Sequence, residues 1–342
     1  MTDAPPPSGP RSIARSVVLG TVAFVATFLL LFGLLNVARR SAGGEASAPP
    51  FAAATPSAAS GPIDPAESGS PSALPTISGD PVLVGAGDIA DCGLDSGAAT
   101  AALLAGIAGT VFTAGDNAYP SGTAAQFRDC YGPFWGRQLE RTRPAAGNHD
   151  WETRDLAGYL GYFGSRAGPA DTSWYSYALG PWHVIVLDSD CSSVGGCGPD
   201  SPQGRWLASD LAASTARCTL AIWHQPRFSS GEHGNDPSVA PFWRALYDAG
   251  ADLVINGHDH DYERFAPQDP EGKEDRLRGI REFVVGTGGA ALRDFTTQSA
   301  NSELRAAVSH GVIRLVLHPG SYGWSFLPTK PGFTDAGSGP CH

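Results

Sequence analysis

The sequence is poor in positive charge. Its 342 residues hold 23 Lys and Arg against 34 Asp and Glu, a formal net charge of -11. Residues 1–80 contain four Arg, no Lys and five carboxylates, so nearly all of the acidic surplus belongs to the rest of the chain. That balance argues against general nucleic-acid binding, because a phosphate backbone is held by a basic face. One local anionic substrate stays compatible with it if bound cations offset the carboxylates. No internal repeat is evident, and long apolar runs are lacking except at one place near the amino terminus.

That place is Ser16 to Ala38, apolar apart from scattered Ser, Thr, Gly and one Asn, with Arg11 and Arg15 before it and Arg39 and Arg40 after it. About 20 residues span a bilayer. The run exceeds the roughly 7–15 residues of a signal-peptide core, and Arg39-Arg40 separates it from the small-residue site Ala46-Ser47-Ala48. The expectation is a short tail over 1–15, a membrane anchor over 16–38, a linker over 39–80 and a catalytic domain over 81–342. A cleaved segment and a secreted form is the competing reading. The linker, mostly Ala, Pro, Ser and Gly, would reach roughly 35 Å as a flexible coil.

All six cysteines, Cys92, Cys130, Cys191, Cys197, Cys218 and Cys341, follow the apolar run. An even number in such a context reads as disulfides in an oxidising compartment, so the catalytic part is expected outside the cytoplasm. Cys191 with Cys197 is the easiest local pair, among fifteen pairings in principle.

From Pro81 onward, short β-like runs end in polar clusters: Val82-Leu83-Val84, Val111-Phe112-Thr113, Val184 to Leu187, Thr219 to Trp223 and Leu253-Val254-Ile255. Helix-compatible stretches, Gly97 to Ala108, Gln203 to Ala213 and Val239 to Ala249, lie between some of them, which favours α/β architecture. Runs near Phe283 and from Val312 to Leu317 lack long intervening helices and predict an antiparallel addition.

Five polar segments follow strand-like runs: Gly87-Asp88-Ile89-Ala90, Gly115-Asp116-Asn117-Ala118-Tyr119, Gly147-Asn148-His149-Asp150, Trp223-His224-Gln225-Pro226 and Gly257-His258-Asp259-His260. Singly they are weak. An Asp after a strand is more often a turn or cap, and a lone His is more often structural. Two alternating imidazoles after a strand are a stronger metal signal. Together they supply oxygen and nitrogen donors for two hard or borderline cations.

In that order the segments resemble the signature of the calcineurin-like metallophosphoesterases, across essentially Pro81 to His342. Where that superfamily commonly has a His in the first segment, this chain has Ala90. Purple acid phosphatases lack the same His and carry a Tyr in the second segment, as Tyr119 does here, so both departures resemble that branch. Asp261-Tyr262-Glu263-Arg264 and the Gly286-Thr287-Gly288-Gly289 turn are further similarities.

The resemblance implies a four-layer α/β/β/α sandwich with two mixed sheets. It implies that Asp88, Tyr119 and His260 bind one metal, that Asn148, His224 and His258 bind the other, and that Asp116 bridges them. The first set suits Fe(III) and the second a divalent Fe, Zn or Mn ion. It also implies that His149 contacts the phosphate or protonates the leaving oxygen, that Asp150 orients His149, and that His233 approaches the substrate. The expected activity is hydrolysis of phosphomonoesters, acid phosphatase-like, by a hydroxide activated between two metals. A phosphodiesterase or nucleotide hydrolase with the same site is the enzymatic alternative, and a catalytically inactive metal-containing surface protein is the alternative of another class.

Overall fold

The computed structural model describes residues 79–170 and 172–342. The expected tail, anchor and nearly all of the linker lie outside them. Among the described residues no helix is long and apolar enough to cross a membrane.

Among the described residues, thirteen strands form two sheets. In the first, β1 (Val82–Ala86), β2 (Thr110–Ala114) and β3 (Thr142–Ala145) run parallel. Beyond β1 the antiparallel strands β11 (Gly311–His318), β12 (Ser321–Pro328) and β13 (Ala336–Pro340) complete it. The second sheet has the order β10-β8-β9-β7-β6-β5-β4. Its parallel centre is β5 (Trp182–Val186), β6 (Cys218–Ile222), β7 (Leu253–Asn256) and β9 (Arg281–Val285). Antiparallel β4 (Tyr175–Leu179), β8 (Tyr262–Phe265) and β10 (Ser302–Ala306) flank that centre. Both sheets are mixed, as the resemblance implied.

The unbroken apolar runs in β5 to β7 reflect burial on both faces. Val184, Val186, Leu220, Ile222, Leu253 and Ile255 pack into one core with Leu83, Val111 and Leu315 of the first sheet. The alternate residues Ile185, Ala221, Val254 and Val284 pack with Leu207 of α3 (Pro202–Ala213) and Phe242, Trp243 and Leu246 of α4 (Ala240–Asp248). Each such fully buried aliphatic side chain contributes about 1.5–3 kcal/mol. On the first-sheet side, Leu104 of α1 (Ser96–Ala105) and Tyr159 and Phe163 of α2 (Ala157–Phe163) join the larger core. Ser201 caps α3 by accepting from Gly204 N at 3.0 Å, with Pro202 in its first turn.

The six cysteines form three disulfides, Cys92–Cys130, Cys191–Cys197 and Cys218–Cys341. The last ties the end of the chain to β6 across 123 residues.

Because β1, β2, β3, β6 and β7 are parallel members of their sheets, the loops after them emerge at strand carboxyl ends, the usual place for function in α/β sheets. The two sheets meet at that edge. His224 Nδ1, after β6, lies 2.8 Å from Ala114 O, the last residue of β2.

Candidate metal centre

The loops after β1 and β2 run side by side, with Asp88 N donating to Gly115 O at 3.0 Å and Ile89 N to Asp116 O at 2.9 Å. Asp88, Asp116 and His258 have φ values of 60°, 50° and 71°. Such left-handed backbone is uncommon outside glycine and is typical of constrained functional loops. Gly147 permits a close approach, since a Cβ there would stand 2.2 Å from Asp116 Oδ1. Gly288 has the same part in the Gly286 to Gly289 turn, where a Cβ would meet Gly87 O at 2.4 Å.

The side chains fall into two groups joined by one carboxylate. The Tyr119 hydroxyl lies 2.7 Å from Asp88 Oδ1 and 3.2 Å from His260 Nε2, and His260 Nε2 is 3.3 Å from Asp88 Oδ1. In the second group, His224 Nε2 is 3.1 Å from Asn148 Oδ1 and 3.2 Å from His258 Nδ1. Asp116 Oδ2 touches both, at 3.0 Å from Tyr119 OH and 3.2 Å from His224 Nε2. All seven expected ligands therefore converge.

Their outer contacts aim them. His224 and His260 turn Nδ1 to the carbonyls of Ala114 and Ala291, each at 2.8 Å, leaving Nε2 for the centre. His258 N occupies Asp88 Oδ2 at 2.8 Å, and His149 N occupies Asp116 Oδ1 at 2.9 Å, so each carboxylate keeps one oxygen facing inward. Tyr119 N donates to Ala90 O at 2.8 Å, which brings the phenol in beside the Ala90 position.

The electrostatics are those of donors competing for positive charge. Burial favours the neutral acid, yet His224 and His149 hold Asp116 well below the usual carboxylate range. Burial likewise opposes charge on His224, but Asp116 and Asp88 push it up to about 10. Burial, with His224 and His233 alongside, drives His258 down to about 3. Burial and the two carboxylates keep the Tyr119 proton on well above the ordinary phenol range. The residues fit two cations: two buried carboxylates, a phenol, an amide oxygen and three imidazoles present inward donors, and binding would displace the protons of Tyr119 and His224.

His149 sits at the rim, its ring 4.6 Å from that of Tyr119 and Nε2 3.8 Å from Asp116 Oδ2. The expectation that Asp150 orients this ring is corrected. Asp150 is fully buried and accepts from Gly147 N at 3.0 Å and Asn117 Nδ2 at 2.8 Å, bracing the loops rather than the imidazole. The Pro120 carbonyl, 2.6 Å from His149 Nδ1, orients His149 instead. His233 does join the rim, its ring 4.2 Å from His258 at 30°.

Sequence reasoning missed Arg293, whose Nη1 lies 2.6 Å from His233 Nε2. A lone Arg in a loop has no spacing signature, and its place four residues beyond the glycine turn was the only hint. It also missed Asn117, which couples Asp150 to Ala145 O. Asp261 to Arg264 proves to be scaffold: Tyr262 OH and Arg264 Nε both donate to Asp335 Oδ2 at 2.7 Å.

This convergence of loops on a two-sheet scaffold defines the class. The calcineurin-like phosphoesterase family model matches residues 74–262, and the chain belongs to that family. Within it, the relatives place the chain on the purple acid phosphatase-like branch. Purple acid phosphatase 21 of Arabidopsis thaliana is 29% identical over 229 residues, covering 58% of this chain and 51% of that protein. An uncharacterized protein of Mycobacterium tuberculosis is 31% identical over 185 residues, covering 43% of this chain and 35% of its own length. The chain thus spans about half or less of these relatives. Among solved structures, the purple acid phosphatase from yellow lupin seeds shares the fold with a TM-score of 0.63 at 19% identity, covering 78% of this chain and 54% of the lupin chain. GAP50, the anchor in the inner membrane complex of Plasmodium, shares it with a TM-score of 0.59 at 16% identity, covering 75% and 88%.

Proposed function

We propose that the protein hydrolyses phosphomonoesters in the manner of an acid phosphatase, with Fe(III) and a divalent Fe, Zn or Mn ion. The observation that carries this reading is the position of Asp116 Oδ2 between the Tyr119 hydroxyl and His224 Nε2, at 3.0 and 3.2 Å. In this reading Asp88, Tyr119 and His260 hold one cation, Asn148, His224 and His258 the other, and Asp116 both. Cations held there would supply positive charge for phosphate oxygens and lower the pKa of water in the site.

The remaining work falls to the chain itself. His149, fixed through Nδ1 by Pro120 O, presents Nε2 toward a phosphate or leaving oxygen. A proton held there can pass to the departing alcohol, and no covalent protein nucleophile is required. Asp150 acts at one remove, by fixing the loop that carries Asn148 and His149. His233 lines the rim next to His258.

Turnover of p-nitrophenyl phosphate, bis-p-nitrophenyl phosphate and ATP by the metal-loaded protein tests the assignment. Monoester hydrolysis should dominate. A preference for the diester would favour the phosphodiesterase alternative, and tight phosphate binding without turnover would favour the surface-protein alternative. The likeness to GAP50 concerns fold and does not decide between catalysis and binding.

We further propose that the domain faces an extracytoplasmic, oxidising space, anchored by residues 16–38. The pairing of all six cysteines supports it. Protease accessibility on intact cells, with mass analysis of the mature amino terminus, is the test. A protected domain would reverse the orientation, and a start near Pro49 would indicate a cleaved, secreted form.

A further inference from the structure

The loop after β1 brings only Asp88 to the cluster. Ala90 stands where the superfamily commonly has a histidine, so no second ligand ties the tail of this loop to a cation. Its backbone follows the loop after β2 for a short way. Asp88 N, Ile89 N and Ala90 N donate to Gly115 O, Asp116 O and Asn117 O at 3.0, 2.9 and 3.2 Å, and Tyr119 N closes the ladder on Ala90 O at 2.8 Å. There the two segments part. Cys92, Gly93, Leu94 and Asp95 are all exposed, and Asp91 accepts only locally, from Gly93 N at 2.8 Å and Leu94 N at 3.1 Å. Among the described residues no backbone hydrogen bond ties Asp91 to Asp95 back to the second loop.

The second loop continues through Pro120 into helical turns over Ala124–Gln126 and Phe127–Tyr131. A capping box starts them, with Gln126 N donating to Thr123 Oγ1 at 3.2 Å and Thr123 N to Gln126 Oε1 at 2.9 Å. Phe127 and Tyr131 are fully buried, their rings edge-on to Phe163, so Cys130 between them stands on a rigid support. The Cys92–Cys130 disulfide joins the exposed tail to that support and closes 38 residues. Cys92 Sγ stands 3.9 Å from Tyr119 O, directly behind the backbone that carries the phenol. Asp88 and Tyr119 are thus bracketed, by the pairing of β1 with β2 before them and by the bridge after them.

The other donors have supports of their own. Asn117 Nδ2 reaches Ala145 O at 2.9 Å and Asp150 Oδ2 at 2.8 Å, and Asp116 Oδ1 accepts from His149 N at 2.9 Å, so the middle of the second loop is pinned without the bridge. His224 is aimed by Ala114 O, and Asn148 sits in the loop that Asp150 braces through Gly147 N. Opening the bridge therefore returns conformational freedom to the ends that carry Asp88 and Tyr119, and not to Asn148, His224 or His258.

We propose that the Cys92–Cys130 disulfide is a positioning cross-link that keeps Asp88 and Tyr119 in register as donors to one cation, so that its loss weakens retention of that cation and spares the other. This rests on the two-cation reading of the site and deepens it by naming what holds one donor group together. The competing role is general stabilisation of the fold, without preference for either cation.

The experiment compares the full-length protein, loaded with zinc ions, as wild type, as Cys92→Ala/Cys130→Ala and as Cys191→Ala/Cys197→Ala, which opens a different bridge in the loop after β5. Each is challenged with excess EDTA. The readouts are the release rates of the two ions and the ultraviolet difference band of the phenolate that a cation on Tyr119 generates. Opening Cys92–Cys130 should make one ion leave about tenfold or more faster, in step with loss of the phenolate band, while the second ion keeps its wild-type rate. The Cys191–Cys197 variant should keep both rates even where its Tm falls. Brief phosphine reduction of the folded wild type, then alkylation and mass analysis to select chains opened at Cys92–Cys130, gives the same comparison if the double variant does not fold. Unchanged release, faster release of both ions together, or faster loss of an ion that leaves the phenolate band in place would make the bridge a general support and overturn the proposal. A wild-type protein that does not bind two ions removes the two-cation reading and the proposal with it. Two ions bound, with release unaltered by the open bridge, overturns the proposal alone.

Discussion

The Tyr119 hydroxyl donates to Asp88 Oδ1 at 2.7 Å, joining two loops from neighbouring parallel strands through one phenol. In place of the histidine common in the first segment of the superfamily, the second segment supplies an oxygen donor from Tyr119.

Tyr119→Phe removes that oxygen and keeps the ring against His149. If the phenolate binds Fe(III), wild type should show a visible charge-transfer absorption that the variant lacks. Activity should fall by about tenfold or more, by analogy with the loss of groups that support a metal site. The fold should survive, with near-wild-type circular dichroism. A colourless, active wild type with two divalent metals, and an equally active Tyr119→Phe, would reject the iron assignment.

Asp188 makes a prediction about pH. It is fully buried at the end of β5, where burial raises its carboxyl to about 6 against donors from Ser173, Asp190 N and Trp151. Its ordinary value is 3.8. Between those values the folded chain holds a proton that the unfolded chain has lost, so this group makes stability fall as pH rises through that window. The full effect is on the order of 3 kcal/mol. Asp188→Asn should flatten the change in Tm between about pH 4 and 6, whatever its own cost in hydrogen bonds. An unchanged slope in the variant would show that Asp188 does not titrate there.

The Cys218–Cys341 disulfide closes 123 residues and holds the chain terminus beside β6, away from the polar centre. Replacing both cysteines by Ala should lower stability by about 2–4 kcal/mol, seen as a lower denaturant midpoint. Turnover at 25 °C should change little. A large loss of activity without loss of stability would mean that the terminus shapes the site.

Much of this was legible in the sequence because the relevant signals are local. Strand-like runs ending in Gly-Asp, Gly-Asn-His or Gly-His marked the loops, and the parallel strand order carried those loops to one edge. The alternation of Ile185 and Val186 between two cores was hidden, because both faces are apolar and the run has no period. The role of Asp150 came from the resemblance alone, and the local backbone decides otherwise. The 3-10 turn that begins at Asp150 points its carboxylate back to Gly147 and Asn117. Arg293 was invisible because its partner, His233, lies 60 residues away and only the fold brings them together.

Metal stoichiometry of the purified full-length protein, measured beside that of Asp116→Asn, tests the central claim most directly. Asp116 Oδ2 is the atom that touches both donor groups. Wild type should hold two metal ions per chain. Asp116→Asn should retain at most one and lose p-nitrophenyl phosphate hydrolysis by about a hundredfold or more, the upper range for losing a metal-site group. Full wild-type turnover with a single metal or none, or an Asp116→Asn protein that keeps two metals and full activity, would contradict the account.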